Sequence, residues 1–140
     1  MIRPSKLPKD ISDRIQYAGR YLEKRKDVIF AYLFGGLAKG DAKPLSDVDI
    51  AVYLDEGVDR IQAKLDILED LIDILNTDQI DLIVLNQSSL PLSMNVIKNN
   101  RLLVDKQPFV RHAHYSLVMR KYLDYSRLES SILKRRFFHG

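Results

Sequence analysis

Apolar side chains recur along this chain with two different periods, and the switches between them divide it into helices and strands. Ile11, Ile15, Ala18 and Leu22 fall at steps of four, three and four, so a helix over residues 11–22 presents one apolar face. The basic run Lys24-Arg25-Lys26 closes it, where cations complement the carbonyl end of a helix, and reads as a solvated terminus. Residues 28–34 (Val-Ile-Phe-Ala-Tyr-Leu-Phe) are β-branched, aromatic or otherwise apolar throughout and stop at Gly35-Gly36, the pattern of a strand buried on both faces. A second strand over 48–54 opens beside two carboxylates and ends at Asp55-Glu56-Gly57. Val58, Ile61, Leu65, Leu68, Ile72 and Leu75 then trace an amphipathic helix, with Asp66, Glu69, Asp70 and Asp73 expected to face solvent.

Residues 80–85 (Ile-Asp-Leu-Ile-Val-Leu) predict a third strand with one carboxylate, Asp81, set inside an apolar run. A short helix over 90–97, a short strand over 102–104 and a long terminal helix over 110–135 follow. In that last helix Tyr115, Val118, Met119, Tyr122, Tyr125 and Leu128 form a broad stripe interleaved with Arg111, Arg120, Lys121 and Arg127. Such a stripe reads as core in the first place and as a protein interface in the second. His112 and His114 stand two residues apart and diverge on a helix, which argues against a shared metal; the tail Lys134-Arg135-Arg136-Phe137-Phe138 reads as a frayed end. No repeat or linker interrupts the chain, so residues 1–140 are read as one domain. Its class is α+β: a small mixed β-sheet flanked by helices, with a long C-terminal helix, the strand order being left open.

Composition agrees with that picture. A chain of 140 residues with 46% hydrophobic and 29% charged side chains is an ordinary globular domain, long enough to bury roughly two thirds of its unfolded surface. The net charge of +3 favours phosphate-bearing ligands only mildly, and direct nucleic-acid binding is not expected. The absence of cysteine excludes disulfides and thiolate metal sites, and no apolar run approaches the roughly 18 residues of a membrane span. A cytoplasmic protein is the expectation.

The chemistry concentrates between Phe34 and Val52. Asp47 and Asp49, at i and i+2, would project side by side from a strand, where two anions repel unless a cation lies between them. Hard oxygen ligands without His or Cys suit magnesium, with manganese as the alternative. Asp81 supplies a third ligand if its strand lies beside that of Asp49, giving a site for two ions. A lone Asp-x-Asp after Ser46 would be no more than a capped turn. Here it follows Gly35-Gly36, whose backbone can approach phosphate oxygens with no Cβ in the way, and the cations Lys39 and Lys43.

Taken together, Gly35-Gly36, Gly40, Ser46-Asp47-Val48-Asp49 and the distant Asp81 resemble the minimal nucleotidyltransferases of the DNA polymerase-β superfamily, closely over residues 28–85. The resemblance implies a polymerase-β-like nucleotidyltransferase fold, in which Asp47, Asp49 and Asp81 bind two Mg²⁺ ions. Gly35, Gly36, Lys39, Gly40 and Ser46 would take the triphosphate of ATP. It further implies an antitoxin that transfers AMP to a tyrosine of a HEPN-domain toxin; a homo- or hetero-oligomer is left open. The alternatives are a small-molecule nucleotidyltransferase of the aminoglycoside type and a non-catalytic antitoxin acting by contact. Where the family usually has Gly-Ser, this chain has Gly35-Gly36, and a main-chain N–H can serve in place of the serine hydroxyl.

Overall fold

The computed structural model describes residues 7–40 and 47–138. A four-stranded mixed sheet forms the centre, with β1 (Val28–Phe34), β2 (Val48–Leu54), β3 (Ile80–Val84) and β4 (Asn100–Asp105) in the order β3-β2-β1-β4. The pairings β1–β2 and β1–β4 are antiparallel, whereas β2–β3 is parallel. Central β1 is buried along its whole length, as its unbroken apolar run predicts. The strand near residue 102 is longer than expected. It runs from Asn100 to Asp105, because pairing with β1 recruits polar residues that pattern alone leaves outside.

Alternation along the strands sends side chains to two unlike faces. On one face Leu33, Ile50, Val52 and Leu82 pack against α1 (Ile11–Lys24) and α3 (Arg60–Leu75), which contribute Ile15, Ala18, Leu22, Ala63, Ile67, Leu71 and Leu75. On the other, Phe30, Tyr32, Phe34, Ala51 and Ile83 meet Val96 of α4 (Leu90–Lys98) and Val110 of α5 (Pro108–Phe138). α3 departs in part from its predicted face: Ile61 and Leu65 are exposed, and the buried line runs instead through Ala63, Ile67, Leu71 and Leu75. Small Ala63 at its start lets the helix lie close to the sheet, which turns the flanking apolar residues outward.

Caps and side-chain ties fix the ends. The Asp59 carboxylate accepts from Gln62 N–H at 3.1 Å to start α3, and the Ser89 hydroxyl accepts from Leu92 N–H at 3.3 Å to start α4. Asn86, in a single 3₁₀ turn after β3, exchanges two 2.8 Å bonds with the backbone of Leu54, so its amide lengthens the ladder beyond β3 by side chain. Arg25 of the basic run pairs with Asp27 at 2.7 Å, a structural tie rather than a merely solvated end. Of the four acids of α3, Asp70 accepts a hydrogen bond from the Tyr21 hydroxyl and is only half-exposed.

The base of α5 is anchored, and its described side chains from 120 to 135 are exposed. Arg111 reaches Asp105 at 3.0 Å, and the His114 ring lies 5.8 Å from Phe30 and 5.5 Å from Tyr53. Burial among those rings holds its pKa below the usual histidine range. Among the described side chains of the helix, Val118 is the last buried one. The stripe, read from sequence as core first and as an interface second, is core only in part: Tyr115 is exposed at its margin, and Tyr122, Tyr125 and Leu128 are exposed because the sheet ends before the helix does. The tail also continues as helix through Phe138. Among the described residues no helix is long and apolar enough to cross a membrane.

The two faces of α3 give a direct check. Leu71→Ala, fully buried, should cost about 2–5 kcal/mol, and exposed Leu65→Ala about 0.5 kcal/mol or less, in urea unfolding. Equal losses would place the wrong face against the sheet.

Candidate active site

The parallel pairing of β2 with β3 sets Asp49 directly beside Asp81. Laterally paired residues point to the same side, so both carboxylates rise from the face that carries α4 and α5. The adjacency of the two strands, only assumed from sequence, is realised. Asp47 lies exposed just before β2, near enough for its charge to be felt at Asp49. The three aspartates are thus neighbours without being closed onto one point. Among the described residues, no group of three His, Cys, Asp or Glu side chains is gathered tightly enough to cage an ion.

Asp49 is the strained member. Partial burial, then the charge of Asp81, then that of Asp47 push its pKa up to about 6, because each disfavours the ionised form. The antiparallel partner of Asp49 is Phe34, so the residue that follows Phe34 has to pass over the carboxylate. That residue is Gly35, at φ +72, and a Cβ added to it would overlap the Asp49 Oδ2 oxygen and lie 3.2 Å from Cγ. Glycine is required here twice, by the left-handed backbone and by the carboxylate beneath it.

The predicted glycine turn is a short helix, α2 (Gly35–Lys39), folded directly onto the end of β1. Its sharp entry follows from extended Phe34 meeting positive-φ Gly35. Gly40, read from sequence as a phosphate-contacting glycine, ends that helix in the left-handed conformation, its N–H donating to Leu37 O at 3.2 Å. Lys39 stands exposed in the last turn, and Gly36 is half-buried inside the helix. Ser46, like Lys43, falls outside the described residues.

One feature escaped sequence reasoning. At the outer edge of β3, Asp81 lines a cleft of about 420 Å³ shared with Arg60 and Lys64 of α3 and with Gln87 and Ser88. The two cations sit four residues apart at the start of a helix, a spacing visible in the sequence, but nothing there brings that helix end to β3. Hard oxygens on one face, an anion held partly uncharged and a backbone able to come close above it suit a hydrated divalent cation and a polyphosphate.

A family model described as Polymerase beta, Nucleotidyltransferase matches residues 17–109, which contain all three aspartates and α2. Among solved structures, a toxin–antitoxin with AMP-PNP is 23% identical with a TM-score of 0.68, covering 87% of this chain and 94% of that one. The toxin–antitoxin MntA-HepT is 21% identical with a TM-score of 0.62, over 91% and 97% of the two chains. The tri-AMPylated HEPN toxin of Shewanella oneidensis in complex with MNT antitoxin gives 20% identity and a TM-score of 0.62, over 87% and 92%. At these identities the likeness is one of fold. Among curated proteins, none matches the sequence closely enough to count as a relative.

Two outcomes follow from the charge arrangement. A carboxyl whose folded pKa lies near 6, above its unfolded value near 4, binds more protons when folded, so stability falls as pH rises through that window. In chelator, Asp49→Asn should therefore be more stable than the native chain at neutral pH by on the order of 1–3 kcal/mol, the difference shrinking toward pH 4. A gap that stays constant with pH in denaturant titrations would refute the raised pKa. Separately, Gly35→Ala should lose at least about 1 kcal/mol of stability and displace the Asp49 carboxylate, visible as a shifted Asp49 signal in carbon-detected NMR.

Proposed function

The chain belongs to the polymerase beta nucleotidyltransferase family, and from that premise we propose that it transfers AMP from ATP to a hydroxyl of a protein partner, a tyrosine of a cognate HEPN toxin. The observation that carries the reading is the pair Asp49 and Asp81, side by side in parallel strands beneath the Gly35 backbone. Two anions so placed raise each other's energy in the empty protein, and a site that tolerates this is built to receive positive charge.

The residues present fit magnesium: the oxygens of Asp47, Asp49 and Asp81 would hold the ions. When bound, the ions lower the pKa of the attacking hydroxyl and offset the charge of the triphosphate. Asp81, at the open edge of the sheet, orients that hydroxyl and accepts its proton. The hydroxyl oxygen bonds to the α-phosphorus in line with the departing pyrophosphate, whose bond to that phosphorus breaks. Lys39 adds a cation on the pyrophosphate side, and backbone N–H groups at Gly35 and Gly36 supply donors, Gly36 in place of a serine hydroxyl.

Two features support a macromolecular acceptor. The cleft beside Asp81 is open, whereas a small acceptor needs enclosure. A matched structure contains an AMPylated HEPN toxin with its antitoxin, and another contains AMP-PNP.

The test is incubation with α-labelled ATP and Mg²⁺ plus a cognate HEPN-domain protein, followed by intact mass of both chains. AMP should appear on the partner and vanish with Asp47→Asn or Asp81→Asn, both of which should unfold normally; full transfer by either variant would overturn the assignment. Complex formation with no mass change would instead identify an antitoxin acting by contact.

A further inference from the structure

The strand that carries Asp81 is an edge strand, paired with β2 on one side only. Gln79 O accepts from Val48 N–H at 2.8 Å, which fixes the alternation along β3. Asp81 and Ile83 turn their main-chain groups toward β2, and Leu82 and Val84 turn theirs outward. Among the described residues no hydrogen bond reaches the Leu82 N–H, the Leu82 carbonyl or the Val84 N–H. Donor, acceptor and donor thus follow one another along an open ladder, within about 10 Å of strand from Asp81 to Val84.

This edge is the floor of the cleft beside Asp81. One wall is the start of α3, with Arg60, Ile61 and Lys64, and the other is the chain after β3, with Ser88 and Leu92. Leu54, a few residues before α3, is tied to Asn86 just past β3, and α3 then runs back toward the start of β3. Arg60 therefore stands at the end of the cleft away from Asp81, and Lys64 one helical turn nearer. Ile61 and Leu92 are apolar side chains left exposed on opposite walls. Neither Arg60 nor Lys64 is ion-paired with a described carboxylate, and the lining residues set two cations against the single carboxylate of Asp81.

These features select among occupants. Alternating donors and acceptors are matched by an extended main chain, whereas a helix uses its own main-chain groups internally and a phosphate has no donor for the Leu82 carbonyl. The β3 edge of a second copy is itself recessed between helix ends and cannot reach down to this one. A residue bound opposite Asp81 would extend the lateral row of Phe34, Asp49 and Asp81, its side chain on the catalytic face. Its neighbours along the added strand would point the other way, to the side of Lys64 and Arg60.

The geometry points to strand addition: an extended segment of the acceptor protein pairs with the open edge of β3, places its hydroxyl-bearing residue opposite Asp81, and sets carboxylates against Lys64 and Arg60. The inference rests on the transferase reading in taking the acceptor to be a protein. Main-chain bonds to the strand that carries Asp81 hold the hydroxyl in register with the aspartates without an enclosing pocket.

The experiment adds a cognate HEPN-domain protein as probe to the full chain, with amide exchange read by NMR, affinity by calorimetry and transfer by intact mass. In the free chain the Leu82 and Val84 amides should exchange faster than those of Asp81 and Ile83, and should slow roughly tenfold or more when the probe binds. Val84→Pro removes an outward N–H, which an edge strand accepts, and should raise Kd roughly tenfold over Val84→Ala, the control for lost packing. Arg60→Glu combined with Lys64→Glu should weaken binding and remove most of its salt dependence; unchanged affinity there overturns the role given to the carboxylates. Circular dichroism checks that each variant remains folded. Binding that leaves both amides exchanging as before overturns strand addition, as does equal affinity in the two Val84 variants or a native chain that fails to bind. Protection by ATP and Mg²⁺ alone assigns the cleft to nucleotide, and protection in a dimer of the native chain assigns it to a second copy; each overturns the inference. Protection by the probe with no AMP transferred upholds strand addition and overturns the transferase reading. AMP transferred while both amides exchange unchanged does the reverse.

Discussion

Two carboxylates stand next to each other in neighbouring strands, and the rest of the architecture is arranged to permit this. A parallel pair of strands brings Asp49 and Asp81 to one level on one face, with burial and mutual repulsion raising the energy of the ionised state at Asp49. Such a cost is borne by the hydrophobic contacts on the other face, where Ile50, Val52 and Leu82 are clamped by α1 and α3. The same strands thus carry the core on one side and the charge on the other, one residue apart. A slip of one residue in β2 would bury the aspartates and expose the core, so the alternation that stabilises the sheet also fixes the site.

Gly35 couples this pair to the rest of the chain. β1 and β2 run antiparallel, which brings the end of β1 over the start of β2, and the backbone can turn there only if no side chain meets Asp49. The glycine therefore serves the carboxylate before it serves any ligand. The following helix is five residues long and is closed by Gly40. Local conformation and electrostatics meet in these few residues, which is why so much of the chemistry falls in one short stretch of sequence.

The two faces also differ in completeness. α1 and α3 cover theirs, whereas α4 and the first turns of α5 cover the other only in part, leaving the aspartates open and most of α5 beyond the sheet. Site and projecting helix share the less covered side. The proposed transfer to a large acceptor accords with this, since such an acceptor would supply part of the enclosure.

Local pattern determined most of the elements: the apolar run of β1, the i and i+2 aspartates and the helical periods of α1 and α3 each report on neighbours a few residues away. The motif around Gly35, Asp47 and Asp49 was legible for the same reason. What depended on distant parts of the chain was not. Sequence left open whether β3 pairs with β2 and therefore whether Asp81 joins the site, because strand order is set by packing across the whole sheet. It read the α5 stripe as core first and as an interface second, whereas Tyr122, Tyr125 and Leu128 are exposed in the fold. An apolar stripe at helical spacing states that a surface must be covered; only the length of the sheet beneath the helix decides how much of it this chain covers by itself.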